Sequence, residues 1–205
     1  CKIIESLDDC INEKPEVGII SNVTSLHIQT ALKLASSGLH LFIEKPLSHN
    51  LQNVQELSDI TQNKKLVTFI GCNLRFHSCI KKIKELLQNN EIGKILSVYV
   101  ESGSYLPDWH PWEDYRKEYT ERKDLGGGAL LTLTSHTFYI LEWLFGRIIS
   151  INGMIVQNTK SLDVDVDDSV CLLLQTDTGL IIQTQNNFIV RVHNHELVIE
   201  GSKGR

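Results

Sequence analysis

Two short stretches hold side chains that could do chemistry. In FIEKPLS, residues 42–48, an acid and a base stand side by side, Glu44 and Lys45, and Pro46 fixes the chain as it leaves an apolar run. A lysine at the carboxyl end of a strand could donate to a substrate hydroxyl or to a developing alkoxide, and burial or a nearby positive charge would lower its pKa. A surface Glu–Lys pair of little consequence fits the same residues. In DLGGGALLTLTSHTFYILEWLFG, residues 124–146, three glycines run into an apolar segment that carries His136, eight residues after Gly128. Histidine is the side chain most easily poised between acid and base near neutral pH. A structural histidine on a packed helix is the competing reading.

Two other stretches are suited to holding a ligand. SNVTSLH, residues 21–27, follows an apolar run and offers Ser21, Asn22, Thr24 and Ser25 as short polar groups. Such groups at a strand end face ligands in open parallel sheets, but Thr24 or Ser25 would equally cap a helix. YLPDWHPWEDYRKEY, residues 105–119, mixes Trp109, Trp112 and three tyrosines with acids and bases. Aromatic faces with polar neighbours suit sugar rings, nucleotide bases or a subunit interface. The run DVDVDD at 163–168 lacks the glycine and distal glutamate of an EF-hand loop and reads as a solvated turn, so no metal site is assigned.

The elements that must position these residues alternate. VGIIS at 17–21, LHLFIEKP at 39–46 and KLVTFIG at 65–71 read as strands, the first as a buried parallel strand. Between and after them come helical patterns: 26–38 with Leu26, Thr30, Leu32 and Leu34, 51–64 with Leu51, Val54, Leu57 and Ile60, and 79–93. That alternation is the pattern of a parallel α/β sheet. After Gly93 the pattern changes to a half-buried strand at 94–104, the aromatic loop, a helix over about 129–145 with Leu130, Leu133, Phe138, Leu141 and Leu144 on its apolar spacing, and four strand-like runs separated by turns. A domain boundary is placed near residues 92–95.

Composition narrows the classes. An apolar content of 41% with 22% charged residues fits an ordinary globular protein, and a net charge of −5 gives no basic footprint for nucleic acid. No apolar run approaches the length of a membrane span. Five cysteines (Cys1, Cys10, Cys72, Cys79 and Cys171) are scattered without a C-x-x-C pair, which reads as buried or idle thiols in a reducing cytoplasm. The opening at Cys1 and the ending GSKGR lead to the expectation of a fragment with segments missing on both sides.

Four segments in order resemble the Gfo/Idh/MocA family of NAD(P)-dependent sugar and inositol oxidoreductases: VGIISNVTSLHIQTALKLASSGLHLFIEKPLS, GCNLRFHSCIKKIKELLQNNEIGKI, DLGGGALLTLTSHTFYILEWLFG and ELVIEGSKG. The resemblance covers nearly the whole chain. It implies an α/β protein, with residues 1–93 as the C-terminal part of an incomplete Rossmann-type dinucleotide-binding domain. Residues 94–205 would then form a truncated α+β domain for substrate and oligomerisation, with a mostly antiparallel open sheet. It implies NAD or NADP, a sugar or nucleotide-sugar substrate, and hydride transfer at a carbinol carbon. Lys45 would lie between nicotinamide and substrate and His136 at the sugar as acid/base. Ser21, Asn22, Thr24, His27, Glu44, Lys45 and Pro46 would line the cofactor, and Asn73, Arg75, Trp109, Tyr115, Thr132 and His136 the substrate. The C-terminal sheet would join copies into a dimer or tetramer, and the aromatic loop looks like that of members in surface-polysaccharide sugar biosynthesis.

Two departures stand out. Family members usually carry an acid four residues after the last glycine and another three after the histidine; here these are Thr132 and Tyr139. No G-x-G-x-x-G occurs in the chain, which therefore lacks a pyrophosphate cradle. A non-catalytic relative that senses a sugar or nucleotide, or binds a partner, is the alternative reading.

Overall fold

The computed structural model describes residues 2–205, and Cys1 lies outside them. The chain folds as two compact units, Cys1–Gly71 joined by Asp124–Gly126, and Cys72–Lys123 with Gly127–Arg205.

The first unit is a parallel sheet of β1 (Val17–Ile20), β2 (His40–Ile43) and β3 (Thr68–Ile70) in that order, with α1 (Leu7–Asn12), α2 (His27–Ser36) and α3 (Val54–Asn63). Its core forms where Ile20, Leu41 and Ile43 meet Ile28, Ala31, Leu34 and Ala35 of α2. Gly18 permits this approach, because a Cβ there would press on the Leu34 side chain. Two sequence expectations change here. β1 is buried on one face only, with Val17 and Ile19 exposed, so the run VGIIS is not a strand covered on both sides. The buried stripe of α2 is Ile28, Ala31, Leu34 and Ala35 while Leu26 is exposed, and Leu51 stands exposed before α3 begins.

The second unit has α4 (Ser78–Gln88) and α5 (Ser135–Phe145) with five strands: β4 (Ile95–Gly103), β5 (Ile148–Val156), β6 (Ser169–Thr176), β7 (Ile181–Asn187) and β8 (Asn194–Gly201). The order is β5-β6-β7-β4-β8, and every pair is antiparallel except β4 with β7. In β6 the alternation is plain, with Val170, Leu172 and Leu174 buried and Cys171 and Leu173 exposed, which is what one covered face requires. Leu141 and Leu144 of α5 close the core over Val98, Val100, Ile182 and Phe188. Ile80, Ile83 and Leu87 of α4 pack on the same core, so the division falls between Gly71 and Cys72 rather than near residue 93.

The remaining differences are local. Among the described residues no cysteine is buried: Cys10 and Cys72 are half-buried, Cys79 and Cys171 exposed, and no disulfide joins them. The acidic run is a solvated turn only in part, with Asp163 and Asp165 exposed. Asp168 is fully buried and accepts from the amides of Asn158 and Thr159, both at 2.8 Å, while Asp165 accepts from the amide of Lys123 at 2.8 Å. No helix of the described residues is long and apolar enough to cross a membrane.

The triple glycine is a junction, not a flexible entry. The Gly128 amide donates to the Thr120 carbonyl at 2.9 Å and the Gly127 amide to that of Arg122 at 3.0 Å. A Cβ on Gly127 would overlap the Thr120 carbonyl, and Gly128, at φ +102°, faces the Asp167 carboxylate. Asp167 then accepts from the Leu130 amide at 2.7 Å, satisfying one of the orphan donors that open the helical segment. A Gly127→Ala change is expected to lower stability by about 2–3 kcal/mol in urea unfolding, because backbone must move. Gly179→Ala, at φ +83° with open space around it, should cost only about 1 kcal/mol of conformational strain. Equal losses at the two positions would show that the close approach is unimportant.

Candidate active site

In the first unit the EKP turn leaves β2 under several restraints. The Glu44 amide donates to the Ile20 carbonyl at 2.9 Å, and Glu44 Oε2 accepts from the Lys45 amide at 3.2 Å. Gly71, at the end of β3, lies against the Glu44 carboxylate. The Lys45–Pro46 peptide is cis. His27, 1% exposed, brackets the two strand ends: Nδ1 lies 2.8 Å from the Pro46 carbonyl and Nε2 2.9 Å from the Asn22 carbonyl. Both partners are acceptors, so a neutral ring donates to one of them and a doubly protonated ring to both.

Thr24 is buried beside Gly126, and neither it nor Ser25 caps a helix. Thr24 and His27 thus also hold the unit together. Ser21 and Asn22 are exposed, and Glu44, Lys45 and Pro46 half-buried, at the carboxyl ends of β1 and β2.

The second unit contains a cavity of about 540 Å³ around His136. Before α5 the chain makes a π-helical turn, Leu130–Thr134, a wider turn of the kind often found at functional sites. Its hydroxyls and that of Ser135, the first residue of α5, bond backward, Thr132 Oγ1 to the Gly128 carbonyl at 2.7 Å, Thr134 Oγ1 to that of Ala129 at 3.2 Å and Ser135 Oγ to that of Leu131 at 2.7 Å. His136 comes next and lines the cavity with Ser102, Ser104, Asp108 and the aromatic side chains of Tyr105 and Trp109. Trp109 donates from Nε1 to Ser104 Oγ and meets Phe188 edge-on at 5.2 Å, so its ring is fixed. The Arg191 guanidinium lies 3.7 Å over the Tyr105 ring. His195, whose burial lowers its pKa, places Nδ1 3.3 Å from Ser102 Oγ.

The expected substrate residues thus separate. His136 and Trp109 share the cavity, but Thr132 is buried with its hydroxyl on a backbone carbonyl. Tyr115 packs against the core and accepts from the Asp163 amide at 3.3 Å, away from the cavity wall. Of the Asn73–Arg75 stretch it is Leu74 that lines the cavity. The Arg75 amide donates to the Tyr139 hydroxyl at 3.1 Å, and its guanidinium lies 5.0 Å over Trp143. Tyr139 stands next to His136, ring centroids 6.1 Å apart, and burial raises its pKa, so it stays a neutral phenol. Sequence reasoning missed Ser102, Asp108, Arg191 and His195. RVHNH at 191–195, with a cation and two imidazoles beside a strand, was the available signal.

Residues 1–72 match the model of an oxidoreductase family with an NAD-binding Rossmann fold, and residues 80–205 match the GFO/IDH/MocA C-terminal domain. The chain belongs to the GFO/IDH/MocA family. It is 28% identical to a myo-inositol 2-dehydrogenase of Thermotoga maritima, covering 94% of this chain and 57% of that protein. It is 26% identical to a D-xylose dehydrogenase of Paenarthrobacter nicotinovorans, covering 97% of this chain and 55% of that one. The chain thus spans about half the length of these relatives. The fold also matches the WlbA dehydrogenase of Bordetella pertussis, solved with NADH and UDP-GlcNAcA, at TM-score 0.85 and 18% identity over 97% of this chain and 57% of that one.

The loop beside the family's glycine motif holds one further ionisable group. Glu121 is 3% exposed; its Oε1 accepts from Thr120 Oγ1 at 2.6 Å, and burial pushes its carboxyl up to about 7. The unfolded chain releases this proton near 4.5. Protonated Glu121 therefore favours the folded state; the contribution is full below the unfolded value and is lost as pH rises through about 7. In metal-free buffer, the stability of the wild type relative to Glu121→Gln is expected to fall between about pH 5 and pH 8. Taking the difference between the two proteins cancels groups of opposite sign such as His195. A difference that is constant across this range would contradict the shift.

Proposed function

We propose that the protein is an NAD(P)-dependent oxidoreductase that moves a hydride between the nicotinamide and a hydroxyl-bearing carbon of a sugar or nucleotide sugar. The observation that carries this reading is the cavity around His136, where hydroxyls, one carboxylate and imidazoles converge beside fixed aromatic faces. The sugar ring stacks on Trp109 and Tyr105 while Ser102, Ser104 and Asp108 bond its hydroxyls. Arg191 suits the phosphate of a nucleotide sugar.

The first unit is assigned to the dinucleotide. Its parallel strands end together at Ser21, Asn22, Glu44 and Lys45, the edge at which such ligands bind, and this set fits the nicotinamide half. When bound, the cofactor supplies the hydride acceptor or donor. Lys45 Nζ bonds the reacting hydroxyl, takes its proton in the oxidation and stabilises the developing alkoxide. His136 is the second candidate acid/base, in the cavity of the second unit. The exposed outer face of the five-stranded sheet, with Met154, Leu173 and Ile181, is assigned to a homodimer or tetramer. A role in surface-polysaccharide sugar synthesis in the cytoplasm accords with the aromatic loop and the likeness to a UDP-GlcNAcA-binding dehydrogenase.

A second reading is favoured by Thr132 and Tyr139, neither of which gives His136 a carboxylate partner. A relative that binds a sugar without oxidising it would tolerate both. The complete protein, assayed with NAD and NADP against inositol, xylose and UDP-sugars, separates the two by nicotinamide absorbance. Turnover should fall roughly 10²–10⁴-fold in Lys45→Ala and by about 10² in His136→Ala. Turnover unchanged by both substitutions would refute these roles, and sugar binding without any nicotinamide conversion would establish the second reading.

A further inference from the structure

We propose that His110, Glu113 and Glu118 form a divalent-cation site at the rim of the cavity that His136 lines. One ligand atom from each lies within 4.8 Å of the others. The spacing H-x-x-E-x-x-x-x-E does not bring them together by itself; the turns of the loop do. The Glu113 amide donates to the His110 carbonyl at 2.9 Å, and the Glu118 amide to that of Tyr115 at 3.0 Å, folding the chain around a short 3₁₀ turn at Tyr115–Lys117.

The electrostatics call for a cation. The Glu113 and Glu118 carboxylates approach to hydrogen-bond contact. Arg116, the arginine between them in sequence, is committed elsewhere: it forks onto Asp114 at 2.7 and 2.9 Å. A second observation is independent of that cluster. Glu121 is 3% exposed and its Oε2, buried, has no hydrogen-bond partner among the described residues. The charges that act on it include those of Glu118 and His110. A buried carboxylate oxygen without a hydrogen-bond partner among the described residues thus lies within the field of Glu118 and His110, and it is assigned to a metal-bound water.

The donor set selects the ion. One imidazole nitrogen with carboxylate oxygens suits Zn²⁺ or Mn²⁺ better than Ca²⁺, which takes oxygen alone. Three protein ligands leave positions open for water or for a substrate group. Because His110 also lines the cavity, a cation there would sit where an anionic substituent of the ligand passes.

The test is isothermal titration calorimetry of the intact, chelator-treated protein with ZnCl₂ and MnCl₂, no sugar or nucleotide being present. One equivalent of at least one of the two metals should bind. Glu113→Gln with Glu118→Gln should weaken it more than tenfold, and Glu121→Gln by about tenfold as an outer partner. Glu113→Gln alone, at an exposed position, is expected to weaken binding with an unchanged circular dichroism spectrum, so that loss of fold cannot stand in for loss of a ligand. His193→Ala with His195→Ala should leave metal affinity unchanged. Absence of binding, binding insensitive to the glutamate changes, or binding lost with His193 and His195 would each overturn the site.

Discussion

The close approach of backbone to backbone at Gly127 and Gly128 is the constraint on which the second unit's chemistry depends. The Thr120 carbonyl occupies the space where a Cβ would lie, and it accepts the Gly128 amide. This ties the end of the aromatic loop to the start of the helical segment. Asp167 completes the tie from the strand side by accepting the Leu130 amide. The chain then makes a widened turn whose hydroxyls bond backward, and this segment, with little freedom left, delivers His136 to the cavity wall. Preorganisation of this kind is what a proton-handling imidazole requires.

Charge in the cavity is arranged differently from what the family pattern implies. The expected carboxylates beside the histidine are a hydroxyl turned onto backbone and a phenol that burial keeps neutral. Negative charge enters instead from the loop, through Asp108 in the wall and through Glu113 and Glu118 beside His110. Positive charge enters from Arg191, stacked on Tyr105. The site is therefore built by the aromatic loop as much as by α5.

Much of this was legible in the sequence, and the limits have physical causes. The strand-like runs after residue 146, separated by turns with no helix between them, reported an antiparallel sheet with one covered face, and EKP at the end of an apolar run reported a strand terminus, because both depend on local pattern. The burial of His27 was not legible, since its two acceptors come from separate turns. Nor was the parallel pairing of β4 with β7, which joins strands some eighty residues apart in the chain. α4 was placed with the wrong unit because helical periodicity says which face is apolar, not which sheet will cover it. Nor were the bonds of the Thr132 and Tyr115 hydroxyls legible, since only the fold supplies their backbone partners.

The central claim, that this family member oxidises or reduces a carbinol carbon and does not merely bind a sugar, is tested most directly by following the hydrogen itself. The complete protein would be given NAD or NADP with sugars and UDP-sugars deuterated at their ring carbons, and the reduced nicotinamide examined by mass spectrometry and NMR. Deuterium arriving at nicotinamide C4 from one sugar carbon, with a slowed rate for that labelled substrate, is the expected result. A sugar that binds the protein while no deuterium reaches either nicotinamide would contradict it.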